Sequence, residues 1–93
     1  MISDKKLLDI CMRDVRRVAA SCEWKPDEIP TGFRIAADGK KWRFIEMYRN
    51  KEYSVLTSYS KTDLKEKIVL DILSMNKVHS LEELELLFES EGI

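Results

Sequence analysis

The chain has 93 residues, 44% of them hydrophobic and 35% charged, and its 16 Lys and Arg against 17 Asp and Glu leave a net charge of −1. That length supports one domain over residues 1–93, because two separate cores would each fall near the lower limit for folding alone. The finely mixed charge excludes a basic nucleic-acid tail and an acidic disordered segment, and the longest apolar runs, such as Ile68-Val69-Leu70, are far short of the roughly 20 residues that span a bilayer.

The chain opens Met-Ile-Ser-Asp-Lys-Lys, without the apolar stretch of a signal peptide, so a cytoplasmic location is expected. Ser3 stands where a helix cap is wanted, and Asp4 suits the positive end of the helix dipole. Leu7, Leu8, Cys11, Met12, Val15, Val18, Ala19 and Cys22 then recur at three- and four-residue steps, which predicts an amphipathic helix over 4–22. Arg13, Arg16 and Arg17 interleave with Asp9 and Asp14 on its other side, as a solvated face would. Pro26 and Pro30 mark a connection, and Trp24 at its start is expected to pack back onto the sheet or the helix end.

Three strands follow. Phe33, Ile35 and Ala37 alternate with Arg34, Ala36 and Asp38, and Asp38-Gly39 signals a hairpin. The run Trp42 to Tyr48 is apolar on both faces at its centre, which suits a middle strand. Asn50-Lys51 is the expected second turn. Glu52 to Tyr59 is the third strand, with Tyr53, Val55, Thr57 and Tyr59 opposite Ser54, Leu56 and Ser58.

Ser60, with Asp63 three residues on, reads as the cap of a second helix, whose core row is Leu64, Ile68, Ile72 and Met75. Ser80-Leu81-Glu82-Glu83 is a capping box for a short last helix, which buries Leu81, Leu84, Leu87 and Phe88 and ends at Gly92. The predicted order is α-β-β-β-α-α: an α+β fold, a three-stranded antiparallel sheet with the helices on one face.

No catalytic constellation stands out. Cys11 and Cys22 are eleven residues apart on one helix, about 16 Å along its axis, too far for a disulfide. Both fall on the apolar stripe as small hydrophobes. His79 is the lone histidine, and the three glycines are scattered, so neither a metal-ligand set nor a phosphate-binding loop is formed. The expectation is a protein without catalytic residues, metal or cofactor.

Charge is balanced overall but not locally. Residues 32–62 carry seven basic and three acidic side chains, net +4, and residues 63–93 carry three basic and eight acidic, net −5. The last helix therefore offers a partner-binding strip of Glu82, Glu85 and Glu89, flanked by Glu83 and Glu91, to a basic protein surface. The alternative surface is the sheet, through Arg43, Arg49 and Tyr53, for an acidic partner.

Two resemblances follow from these residues. The α-β-β-β-α order with Ser60-Lys61-Thr62-Asp63-Leu64-Lys65 is similar to the double-stranded-RNA-binding domain and its basic start to the last helix. Trp42 to Arg49, the Asn50-Lys51 turn, Tyr53 to Tyr59 and the helix from Ser60 to Leu73 resemble small cytoplasmic immunity proteins of bacterial polymorphic toxin systems. The second resemblance implies tight binding and neutralisation of one cognate toxin, often a nuclease, with no catalysis. Offsetting of the +4 by the −5 makes it the preferred reading over nucleic-acid binding. A small structural or regulatory subunit is the third class.

Overall fold

The computed structural model describes all 93 residues. Helix α1 spans Asp4–Ser21, and a single 3₁₀ turn over Pro26–Glu28 leads to the strands. These are β1 (Gly32–Asp38), β2 (Lys41–Tyr48) and β3 (Lys51–Ser58), an antiparallel meander with β2 in the middle. Helices α2 (Lys61–Met75) and α3 (Leu81–Ser90) complete the α-β-β-β-α-α order that the sequence predicts. No helix is long and apolar enough to cross a membrane.

Serine hydroxyls start all three helices. Ser3, Ser60 and Ser80 accept the amide protons of Lys6, Asp63 and Glu83 at 3.1, 3.2 and 3.2 Å, each worth about 1 kcal/mol of helix stability. The helices also end alike. Glu23, Lys77 and Gly92 take left-handed φ angles of 54°, 56° and 72°. The next residue in each case, Trp24, Val78 or Ile93, donates its N–H back to the carbonyl of Ala19, Leu73 or Phe88 at 3.0, 3.1 and 2.9 Å. This is the Schellman closure, which satisfies carbonyls a helix end leaves open. Trp24 thus caps α1 through its backbone, while its ring stays exposed.

Asp38 pairs with Lys41, leaving Gly39 and Lys40 as the first turn, and only Gly39 has positive φ there. The second turn is Arg49-Asn50, at φ 50° and 62°, the type I′ pattern. Lys51, expected in that turn, instead opens β3 opposite Tyr48. The register of β2 with β3 shifts once. Phe44 faces Leu56 and Ile45 faces Ser54, so Val55 is an extra residue, a β-bulge. The bulge breaks the expected alternation and returns Leu56 to the helix side.

Helices α1 and α2 cover that side of the sheet and run parallel. Near their starts Asp4 pairs with Lys61 and Lys65, and near their ends Asp14 and Arg17 meet Asn76. Helix α3 packs against both. The core joins Leu7, Ile10 and Cys11 of α1, Phe44 of β2, Leu64, Ile68 and Ile72 of α2, and Leu84 and Phe88 of α3.

Besides Lys51, and Trp24, whose ring does not pack back as expected, several positions in the helices differ from the expectation. Ile10, outside the predicted stripe, is buried, whereas Cys22 is exposed at the end of α1. Met75 is 70% exposed, beyond the buried row of Leu64, Ile68 and Ile72. Asp14 is only 6% exposed: it follows Leu7, Ile10 and Cys11 on the inward row and accepts a hydrogen bond from Asn76 Nδ2 at 2.9 Å. Its neighbours are not a free solvated face either. Arg13 lies 4.8 Å over the Phe88 ring and donates to the Ile93 carbonyl, and Arg17 pairs with Glu91 and Asn76.

Candidate interaction surface

Helix α3 presents the acidic strip because its apolar residues are drawn inward. Leu84 and Phe88 are fully buried between α1 and α2, with Leu81 and Leu87 half-buried beside them. What remains outward is Glu82, Leu86 and Glu89, spaced four and three residues apart and therefore on one side of the helix. Leu86, which the sequence reading left out, is 64% exposed in the middle of that row. Its signal in the sequence is the run Leu86-Leu87-Phe88: three consecutive apolar residues cannot all face inward on a helix.

The five carboxylates expected to bind a partner have different fates. Glu82 and Glu89 are exposed and unpaired. Glu85 is half-buried and stands 3.5 Å from Lys6 Nζ. Glu83 is committed to the cap, accepting the His79 amide proton at 2.9 Å. Glu91 is held by Arg17 where α3 ends. Glu83 and Glu91 are thus held by the fold, and the free strip is Glu82, Leu86 and Glu89, with Glu85 at its side. At the start of α3, Leu81 shares a shallow apolar hollow of about 420 Å³ with Met1, Val69 and Leu70, and Glu66 stands at its rim.

The alternative surface does not converge. Arg43 belongs to the outer face of the sheet, with Ile45 and Met47, whereas Tyr53 registers with Glu46 on the helix side. Arg43 is 3.7 Å from Asp38, and Arg49 is 3.6 Å from Asp27 and lies over the Tyr48 ring. Arg34 of β1 clasps Glu52 of β3 across the middle strand at 2.8 and 2.9 Å. Those hydrogen bonds hold the Glu52 carboxyl below its ordinary range. Beneath this clasp Ile45 is 1% exposed, although it faces away from the helices. Much of the positive charge of the middle segment is therefore answered inside the fold.

The same is true of the basic start of α2. Lys61 and Lys65 pair with Asp4 at 2.6 and 2.8 Å, and Lys65 also donates to the Ile2 carbonyl. Hydrogen bonds from Lys61 first and Lys65 second hold the Asp4 carboxyl below its ordinary range. Neither lysine projects freely toward a nucleic-acid backbone. Cys11 is walled in: burial, and then the neighbouring Asp14 carboxylate, push its thiol up to about 12, which leaves it protonated and unreactive at neutral pH. His79 is exposed and isolated, and no three His, Cys, Asp or Glu side chains come together as a ligand set. Comparison of the chain with protein-family models, curated proteins and solved structures finds no match, so the molecular surface itself carries the functional reading.

Proposed function

We propose that the chain is a non-enzymatic binding protein that uses the outward face of α3 to occlude a basic surface on a protein partner. The partner implied by the resemblance of its strands and second helix is a cognate bacterial toxin, with the chain as its immunity protein. One observation carries the reading: residues 81–93 hold five carboxylates and no Lys or Arg, and Glu82 and Glu89 are left without an ion-pair partner. A nuclease groove must be positive to hold phosphate, so such a face complements it, and Leu86 adds an apolar centre to a charged rim. The rigid backing of Leu84 and Phe88 limits the entropy lost on binding.

The test is co-expression with the toxic domain encoded by the adjoining gene. The expected result is rescue of growth and co-elution as a stable complex. Absence of a toxin gene beside this one, or absence of a complex, would overturn the immunity reading. RNA retained through purification, with salt-sensitive binding to heparin, would favour the double-stranded-RNA-binding alternative instead. Self-association by light scattering, without a toxin partner, would point to a structural subunit.

A further inference from the structure

The parallel packing of α1 and α2 leaves a cleft of about 170 Å³ between their second halves and the sheet. None of its walls belongs to α3. Its aromatic lining is the stacked pair Phe33 and Phe44, with ring centroids 5.2 Å apart and planes 15° from parallel. The β-bulge turns Val55 toward it, and Met75 stands opposite on α2. Bulges commonly re-aim a side chain next to a site, and here the consequence is a second apolar wall. Val55 and Met75 are 48% and 70% exposed, so both walls are open to solvent.

The charged side chains of this lining are both carboxylates. Asp14 is buried, with one oxygen taken by the Asn76 amide and no other hydrogen bond to the carboxylate. Asp71 lies on the α2 side and is exposed. Neither takes part in any of the ion pairs. Arg17 is nearby but spends its guanidinium on Asn76 Oδ1 and Glu91. Helix α2 ends at Met75 with no basic residue in its last turn, so the negative end of its dipole opens at the same place. The other oxygen of Asp14 has no protein partner and is not sealed from solvent, so it is open to a ligand cation. A ligand cation would supply the missing charge, and stacked rings favour a cation or a flat apolar group.

The geometry points to this cleft as a binding site for a small organic ammonium carrying a compact aromatic or branched apolar group, its cation on Asp14 and Asp71 and its apolar part against Phe33 and Phe44. The volume suits that size: a cavity of about 150 Å³ accepts a benzene ring. The site is separate from the α3 face and does not depend on the toxin reading.

Three probes of one shape and different charge test it on the ¹⁵N-labelled full chain: benzylammonium, benzyl alcohol and benzoate. Benzylammonium is expected to give saturable shifts in the amides of Phe33, Val55, Asp71 and Met75, with affinity at least about tenfold above that of benzyl alcohol. Benzoate is expected to give none. Asp14→Asn keeps an acceptor for Asn76 and should bring benzylammonium and benzyl alcohol within about twofold of each other. If that variant fails to fold, Asp71→Asn, at an exposed position, should show the same trend with a smaller loss. No saturable shifts with benzylammonium, equal affinity for the three probes, or shifts confined to residues outside the cleft would overturn the assignment. So would a preference for the cation that survives in every variant that folds.

Discussion

Lys65 shows how one side chain ties the start of the chain to the helical layer. It is 7% exposed, and its ammonium is met by the Asp4 carboxylate at 2.8 Å and by the Ile2 carbonyl. Removing the carboxylate alone strands a buried cation. Asp4→Asn is expected to destabilise the fold by about 1–3 kcal/mol, below the figure for a fully buried pair because solvent reaches and screens Asp4. Asp4→Asn with Lys65→Met should recover most of that loss, since a buried pair replaced by apolar volume is often neutral. Chemical denaturation of the three variants measures the coupling. The pH dependence has a fixed sign. The carboxyl of Asp4 is lowered from 3.8 in the fold, so the unfolded chain takes up its proton first as acid is added. The stabilisation is complete well above pH 3.8, declines as pH falls through that value, and is gone below the depressed folded value. Asp4→Asn should therefore flatten the acid limb of the stability curve, and an unaltered limb would place the acid sensitivity elsewhere.

At the scale of elements, local signals were legible and distant partners were not. Ser3, Ser60 and Ser80 announce their helices because a cap needs only the next three residues. The hairpin at Gly39 reads equally directly. By contrast, Asp14 looks like a solvent residue until Asn76, far along the chain, supplies its hydrogen bond. The bulge at Val55 was hidden because its neighbours keep an alternating polar and apolar text while the backbone skips a step. The commitment of Glu91 to Arg17 was invisible for the same reason as Asp14. The Schellman ends give this scale its prediction. Lys77 carries left-handed φ without the freedom of glycine, whereas Gly92 fills the equivalent place on α3. Lys77→Gly should raise stability by up to about 1 kcal/mol, since relief of the left-handed penalty exceeds the added chain entropy of glycine. A higher denaturation midpoint with an unchanged slope is the expected outcome. A lower midpoint would mean that the lysine stem contributes packing that outweighs the backbone strain.

For the whole molecule, the distribution of paired and unpaired charge matters more than the net charge. The sheet keeps Arg34, Arg43 and Arg49 beside its own acids or those of the preceding loop, while α3 leaves Glu82 and Glu89 open on either side of Leu86. The interface proposed for α3 therefore has two separable parts. Long-range attraction from the carboxylates acts on encounter, whereas burial of Leu86 acts on the lifetime of the complex. Glu82→Lys with Glu89→Lys should leave the fold intact, because neither residue caps a helix or pairs with another group. The first-turn carboxylate lost at Glu82, worth up to about 1 kcal/mol, is offset in part by the cation gained near the end of α3. The double reversal should slow association with a basic partner, most strongly at low salt, and the loss should shrink as ionic strength rises. Leu86→Ala should leave association nearly unchanged and speed dissociation. Glu83→Gln is the control, since its amide oxygen can still accept the His79 proton and the residue lies off the outward row. Surface plasmon resonance at several salt concentrations separates these effects. If the double reversal alters neither the association rate nor its salt dependence, the acidic row does not steer the partner. If Leu86→Ala also leaves dissociation unchanged, the partner does not sit on α3, and the proposed face is wrong.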